Sequence, residues 1–124
     1  MTAPTASRPA RARALAALLG LLLVAVAGEA GAEPRSFQLA IKDGRLPADQ
    51  RVVQVRQGDE VTLTFTSDRP LSLHLHGYDL EEKVNPGRPA VLKFPARATG
   101  RFPVEVHGAK GAHSTLGYLE VHPR

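Results

Sequence analysis

The chain has 124 residues, no cysteine, one methionine at position 1 and a formal net charge of +4. Disulfide staples and a thiolate-ligated blue-copper electron-transfer centre are therefore excluded, because neither cysteine nor an internal methionine is present to build them. The charge is modest and scattered rather than clustered, which argues against nucleic acid as a partner.

Residues 1–32 read as a secretory signal peptide. Arg8, Arg11 and Arg13 form a basic start, Leu15 to Ala27 is an unbroken run of 13 small and apolar residues, and Ala30-Gly31-Ala32 supplies a cleavage site before Glu33. The run falls short of the roughly 18 residues expected of a spanning helix, so the leader predicts a periplasmic or secreted protein with no membrane span after cleavage. It contains no adjacent arginine pair, which favours export in the unfolded state. Residues 33–124 then form a single domain of 92 residues, with 13 basic and 11 acidic side chains and a net charge of +2.

Short β-rich runs separated by turn signals fill this domain, and helical periodicity is absent. Ser36 to Ile41 alternates up to the turn Asp43-Gly44, and Arg51 to Val55 forms a second run. After Gln57-Gly58-Asp59, Glu60 to Thr66 puts Val61, Leu63 and Phe65 in one phase and three threonines in the other. Leu71 to His76 sets three leucines against Ser72, His74 and His76. Ala90 to Phe94 reads as a strand beyond the Pro86-Gly87 and Pro89 breaks. Phe102 to His107 follows, with Pro103 suggesting an edge or the start of a strand, and Leu116 to Val121 closes the domain against an early strand. About seven such strands predict an all-β, Greek-key β-sandwich.

Four histidines carry the chemistry. In a strand, His74 and His76 project to one side about 6.5 to 7 Å apart, a spacing suited to gripping one ion. His107 ends a strand and His113 follows the glycine-rich segment Gly108 to Gly111, where a rim loop can fold a ligand over a site on neighbouring strands. Asp79 and Glu105 read first as ordinary surface charges, though they are near enough in sequence to orient an imidazole or complete coordination, while His122, at a chain end, is a poor ligand position. Tyr78 and Tyr118 read as packing residues with a wet hydroxyl.

From about Ile41 to Val121 the chain resembles the cupredoxin-like proteins of bacterial periplasms, including domains similar to those of iron-uptake lipoproteins. The resemblance rests on Val55 to Phe65 (VRQGDEVTLTF), His74 to Asp79 (HLHGYD), Thr99 to His107 (TGRFPVEVH) and His113 to Val121 (HSTLGYLEV). In copper-carrying members a strand-end cysteine, a loop histidine and a methionine precede the last strand. The resemblance puts these positions at about Val106, at His113 and near Thr115, so two ligands are replaced, and His74 or His76, His107 and His113 remain. The His-Leu-His-Gly run is also similar to one histidine pair of multicopper oxidases, a family that needs several such pairs across multiple domains.

Neutral imidazoles suit copper and zinc, and the stability order of divalent ions favours Cu(II). With no nucleophile elbow, phosphate loop or paired-carboxylate motif, the chain reads as a binding protein rather than an enzyme. The leading expectation is a copper carrier, buffer or resistance factor ligated by His74, His76, His107 and His113, with zinc as the other metal and an envelope metal-transport protein as a partner. The competing expectation is a metal-free interaction module of the cell envelope, in which the same histidines are rim residues.

Overall fold

Alternating apolar and polar residues become eight strands in the computed structural model, which describes residues 1–5, 31–108, 111 and 113–124. Most of the predicted leader, residues 6–30, lies outside the described residues. The strands are β1 (Pro34–Ile41), β2 (Val52–Arg56), β3 (Glu60–Ser67), β4 (Leu71–Leu75), β5 (Leu80–Val84), β6 (Ala90–Pro95), β7 (Gly100–His107) and β8 (His113–His122). They form a three-stranded sheet in the order β1-β3-β6 and a five-stranded sheet in the order β2-β8-β7-β4-β5. No helix among the described residues is long and apolar enough to cross a membrane.

The core lies between the two sheets, and the period-2 pattern supplies it. Val61, Leu63 and Phe65 of β3 face Leu71, Leu73 and Leu75 of β4, with Val104, Val106 and Leu119 from β7 and β8, all buried. Phe65, Leu75 and Leu119 are fully enclosed, each contributing about 2–3 kcal/mol of apolar burial. Below this core a buried carboxylate, Asp59, caps the β2–β3 turn by accepting the Arg56 N–H at 2.9 Å and pairs with Arg124.

The sandwich agrees with the sequence pattern, and three details differ. The strand β5 was not foreseen, because Leu80-Glu81-Glu82-Lys83-Val84 lacks alternation. As an edge strand with three exposed charged residues it keeps its polar groups in water. Pro103 sits in the central strand β7 rather than at an edge. The β4–β7 ladder stops at Leu75–Val104, and Pro103 only has to accept a bond from the His76 N–H, at 3.1 Å, so its missing donor costs nothing. The last strand begins at His113 rather than Leu116 and carries a bulge. Val104 pairs with Gly117 while Glu105 pairs with Thr115, leaving Leu116 as the extra residue.

At the bulge Gly117 is buried against the backbone of Arg51, whose carbonyl accepts the Tyr118 N–H at 2.7 Å. A methyl group on Gly117 would collide with that carbonyl oxygen. Gly117→Ala should therefore destabilise the fold by about 1–3 kcal/mol, read as a lower urea midpoint with an unchanged slope. An unaltered midpoint would mean that the β2–β8 junction is not tightly packed at this point.

Candidate metal site

Residues opposite one another in a sheet share a face, so the register defines what the outer surface of the five-stranded sheet displays. One row across β5, β4, β7 and β8 reads Glu81, His74, Glu105 and Thr115. The neighbouring row reads Lys83, Ser72, His107 and His113. His76 continues the outward phase of β4 just past its end. All four predicted histidines therefore occupy one outer face, with Glu105 beside His74 and two positions along β7 from His107.

The histidines form two pairs. The His74 and His76 rings lie 4.1 Å apart between centroids, tilted by 57°, closer than the spacing expected of strand positions i and i+2. The His107 and His113 rings stack at 5.2 Å with 22° between planes. His113 is the direct register partner of His107 rather than a ligand folded over from a rim loop. The bulge is the physical reason for its placement. In β8, Gly117, Leu119 and Val121 point inward, and without the extra residue His113 would share their phase and face the core.

Glu105 links the pairs electrostatically. Its Oε2 lies 2.8 Å from His76 Nε2, and that hydrogen bond holds its carboxyl below the usual glutamate range, with the charges of His76, His113 and His107 adding to it against the cost of desolvation. An ionised carboxylate only accepts, so Nε2 of His76 carries the proton and, in the neutral ring, Nδ1 keeps the lone pair. The other acid weighed from the sequence, Asp79, is 99% exposed, with Oδ1 3.9 Å from His74 Nε2, beyond hydrogen-bonding distance. Among the described residues no three His, Cys, Asp or Glu side chains are grouped closely enough to hold a metal ion. The structure thus brings the histidines together as pairs on a common face.

The turn after His76 depends on Gly77, whose φ is +86° and where any Cβ would run into the Phe102 ring. Tyr78 packs against Phe94 and Phe102 at 4.9 and 5.0 Å between ring centroids. Its hydroxyl donates to the Ala98 carbonyl at 2.8 Å and accepts from the Ala98 N–H, and burial pushes its phenol up. It is a packing residue, as its sequence context predicts, and Tyr118 underlies the Arg101 guanidinium at 4.0 Å. His122 stands at the opposite end of β8, 3.7 Å from Glu120 and away from both pairs. Glu81, opposite His74, was missed because the strand that carries it was missed. Val106, where the resemblance puts a cysteine, is buried in the core and offers no donor.

By sequence, no protein family and no curated protein matches the chain. Solved structures do match in fold. A chain of a heme-copper terminal oxidase dimer aligns with a TM-score of 0.57 and 16% identity over 71% of this chain and 65% of its own. A copper binding protein in its apo form aligns with a TM-score of 0.57 and 11% identity over 72% of this chain and 88% of its own. The blue copper oxidase from Nitrosomonas europaea aligns with a TM-score of 0.53 and 22% identity over 74% of this chain and 40% of its own. The match thus spans less than two thirds of either oxidase chain, and at these identities the likeness is one of fold. The protein has a cupredoxin-like β-sandwich fold.

Proposed function

We propose that the protein is a periplasmic or secreted copper-binding protein, a carrier, buffer or resistance factor rather than an enzyme, which holds the ion through His74, His76, His107 and His113. The observation that carries this reading is the gathering of all four imidazoles on one sheet face beside an ionised Glu105. The recurrence of the fold in copper proteins supports it by analogy.

The donor set decides which copper chemistry fits. With Val106 in the core and no cysteine in the chain, a thiolate-ligated blue centre does not fit. Imidazole and carboxylate donors fit Cu(II), and after it Zn(II). Bound copper would supply a nitrogen-rich centre for storage or transfer of the ion. Glu105 fixes the His76 tautomer so that Nδ1 keeps the lone pair as a donor, the role a carboxylate plays behind a metal-binding histidine. His107 and His113 are exposed, so their rings are free of the core to reorient toward an ion.

Titration of the purified protein with Cu(II) should give a pale complex with no intense absorption toward the red. His107→Ala and His113→Ala should each weaken binding at least about tenfold, and Glu105→Gln by about 10–100-fold, with the fold intact, whereas His122→Ala should change nothing. Binding no tighter than to a quadruple-alanine variant of the face would overturn the proposal in favour of the metal-free interaction module.

Proton competition gives a second test. Imidazole must be neutral to bind, and free histidine titrates near about pH 6.5, so affinity should fall steeply as pH drops through that region. A shallow profile would identify carboxylates as the main donors.

The metal-free protein should show a separate acid limb. Glu105 is held below its unfolded value, about 4.3, so its contribution to stability is present above that pH and is lost as pH falls through the lower folded value. Denaturant midpoints measured against pH should show this limb flattened in Glu105→Gln. An identical limb in the variant would mean that the His76 contact adds nothing to the fold.

A further inference from the structure

The β2–β8 register leaves part of a sheet edge without a neighbour. Pairing begins at Val52–Tyr118, and the chain before Val52 turns away through the short helix Ala48–Gln50, tied to β1 by Gln50 Oε1 accepting the Ala40 N–H at 2.9 Å. Residues 113–116 of β8 therefore have β7 on one side and, among the described residues, no strand on the other, while Gly117 already meets the Arg51 backbone. Four residues, the bulged Leu116 among them, correspond to about 13 Å of edge, enough for a short strand pairing.

That edge forms one side of a cleft of about 720 Å³, and Ser114, Thr115, Leu116 and Gly117 all line it. Arg45, Arg51 and Arg101 also line it. Two of these guanidiniums are positioned by groups that leave their charge largely in place. Arg51 donates through Nε to the Leu46 carbonyl at 3.2 Å, and Arg101 lies over the Tyr118 ring with its Nη1 3.9 Å from Glu120. The lining's single carboxylate, Asp43, is bound by Arg69 outside the cleft. The cleft therefore combines backbone groups arranged for strand pairing with an excess of positive charge.

We infer that this cleft is a docking site for an extended, acidic segment of a partner polypeptide, which adds as a strand to the free edge of β8 while its carboxylates meet Arg45, Arg51 and Arg101. Backbone pairing gives the affinity and the arginines select the sign of charge, since guanidinium forks bind carboxylates in a bidentate manner. The same arginines oppose self-pairing of identical, cationic edges. The docked strand would lie beside His113, so a partner held there would reach the histidine face without covering it.

Three nine-residue peptides test this on the purified metal-free protein: one alternating Glu and Val, one with Lys in place of Glu, and one acidic peptide with a central Pro. Calorimetry should give binding of the first that weakens with added salt, and at least tenfold weaker binding of the other two. Amide hydrogen exchange should slow at residues 114–116. Arg45→Glu and Arg101→Glu should each cost at least about fivefold in affinity. No binding of the acidic peptide would overturn the inference and leave the arginines as guards of an idle edge. Equal binding of the proline-interrupted peptide would overturn it in favour of a plain anion patch, and protection at β1 or β5 instead would place strand addition on the wrong edge.

Discussion

One extra residue, Leu116, decides which way the first half of the last strand faces. By opposing a single step of β7 with two steps of β8, it reverses the side-chain phase of β8 halfway along its length. On one side of the bulge Gly117, Leu119 and Val121 fill the core, and on the other His113 and Thr115 face water. The next residue, Gly117, admits the Arg51 backbone and marks where β2 begins to pair. The place of His113 on the histidine face thus follows from this local irregularity, whereas the unpaired edge of β8 follows from where β2 begins.

Electrostatics on the outer face centre on Glu105. Its register partner on β4 is His74, its hydrogen-bond partner is His76, and the charges of His107 and His113 also act on it. By accepting from the His76 Nε2–H, this carboxylate fixes that ring and leaves its Nδ1 with the lone pair. On the proposed function, proton competition for the imidazoles would release the cation in acid. The core beneath is wholly apolar at Val104, Val106, Leu73 and Leu75, so the face rests on rigid strands rather than loops.

In this cupredoxin-like sandwich Val106, where the resemblance to copper-carrying members puts a cysteine, is an aliphatic residue packed in the core, 3% exposed. The fold is retained because it depends on alternation and sheet packing, which valine serves well, whereas blue-copper chemistry depends on one sulfur atom that this chain lacks. Shared architecture and changed site chemistry are compatible for that reason.

Most of the fold was legible in the residues themselves. Val61, Leu63 and Phe65, or Leu71, Leu73 and Leu75, announce half-buried strands because a period of two has one stable arrangement, apolar side inward. The histidines announced themselves by type and spacing. What the sequence could not convey was anything decided by register between distant strands. The charged strand β5 exists because β4 offers it an edge, and Pro103 is tolerated in a central strand because the β4 ladder ends beside it. His113 reaches the outer face because of a bulge that no local pattern marks. Local alternation fixes which residues a strand buries, while the register between paired strands, which no local signal sets, determines which of the remaining side chains meet on the surface.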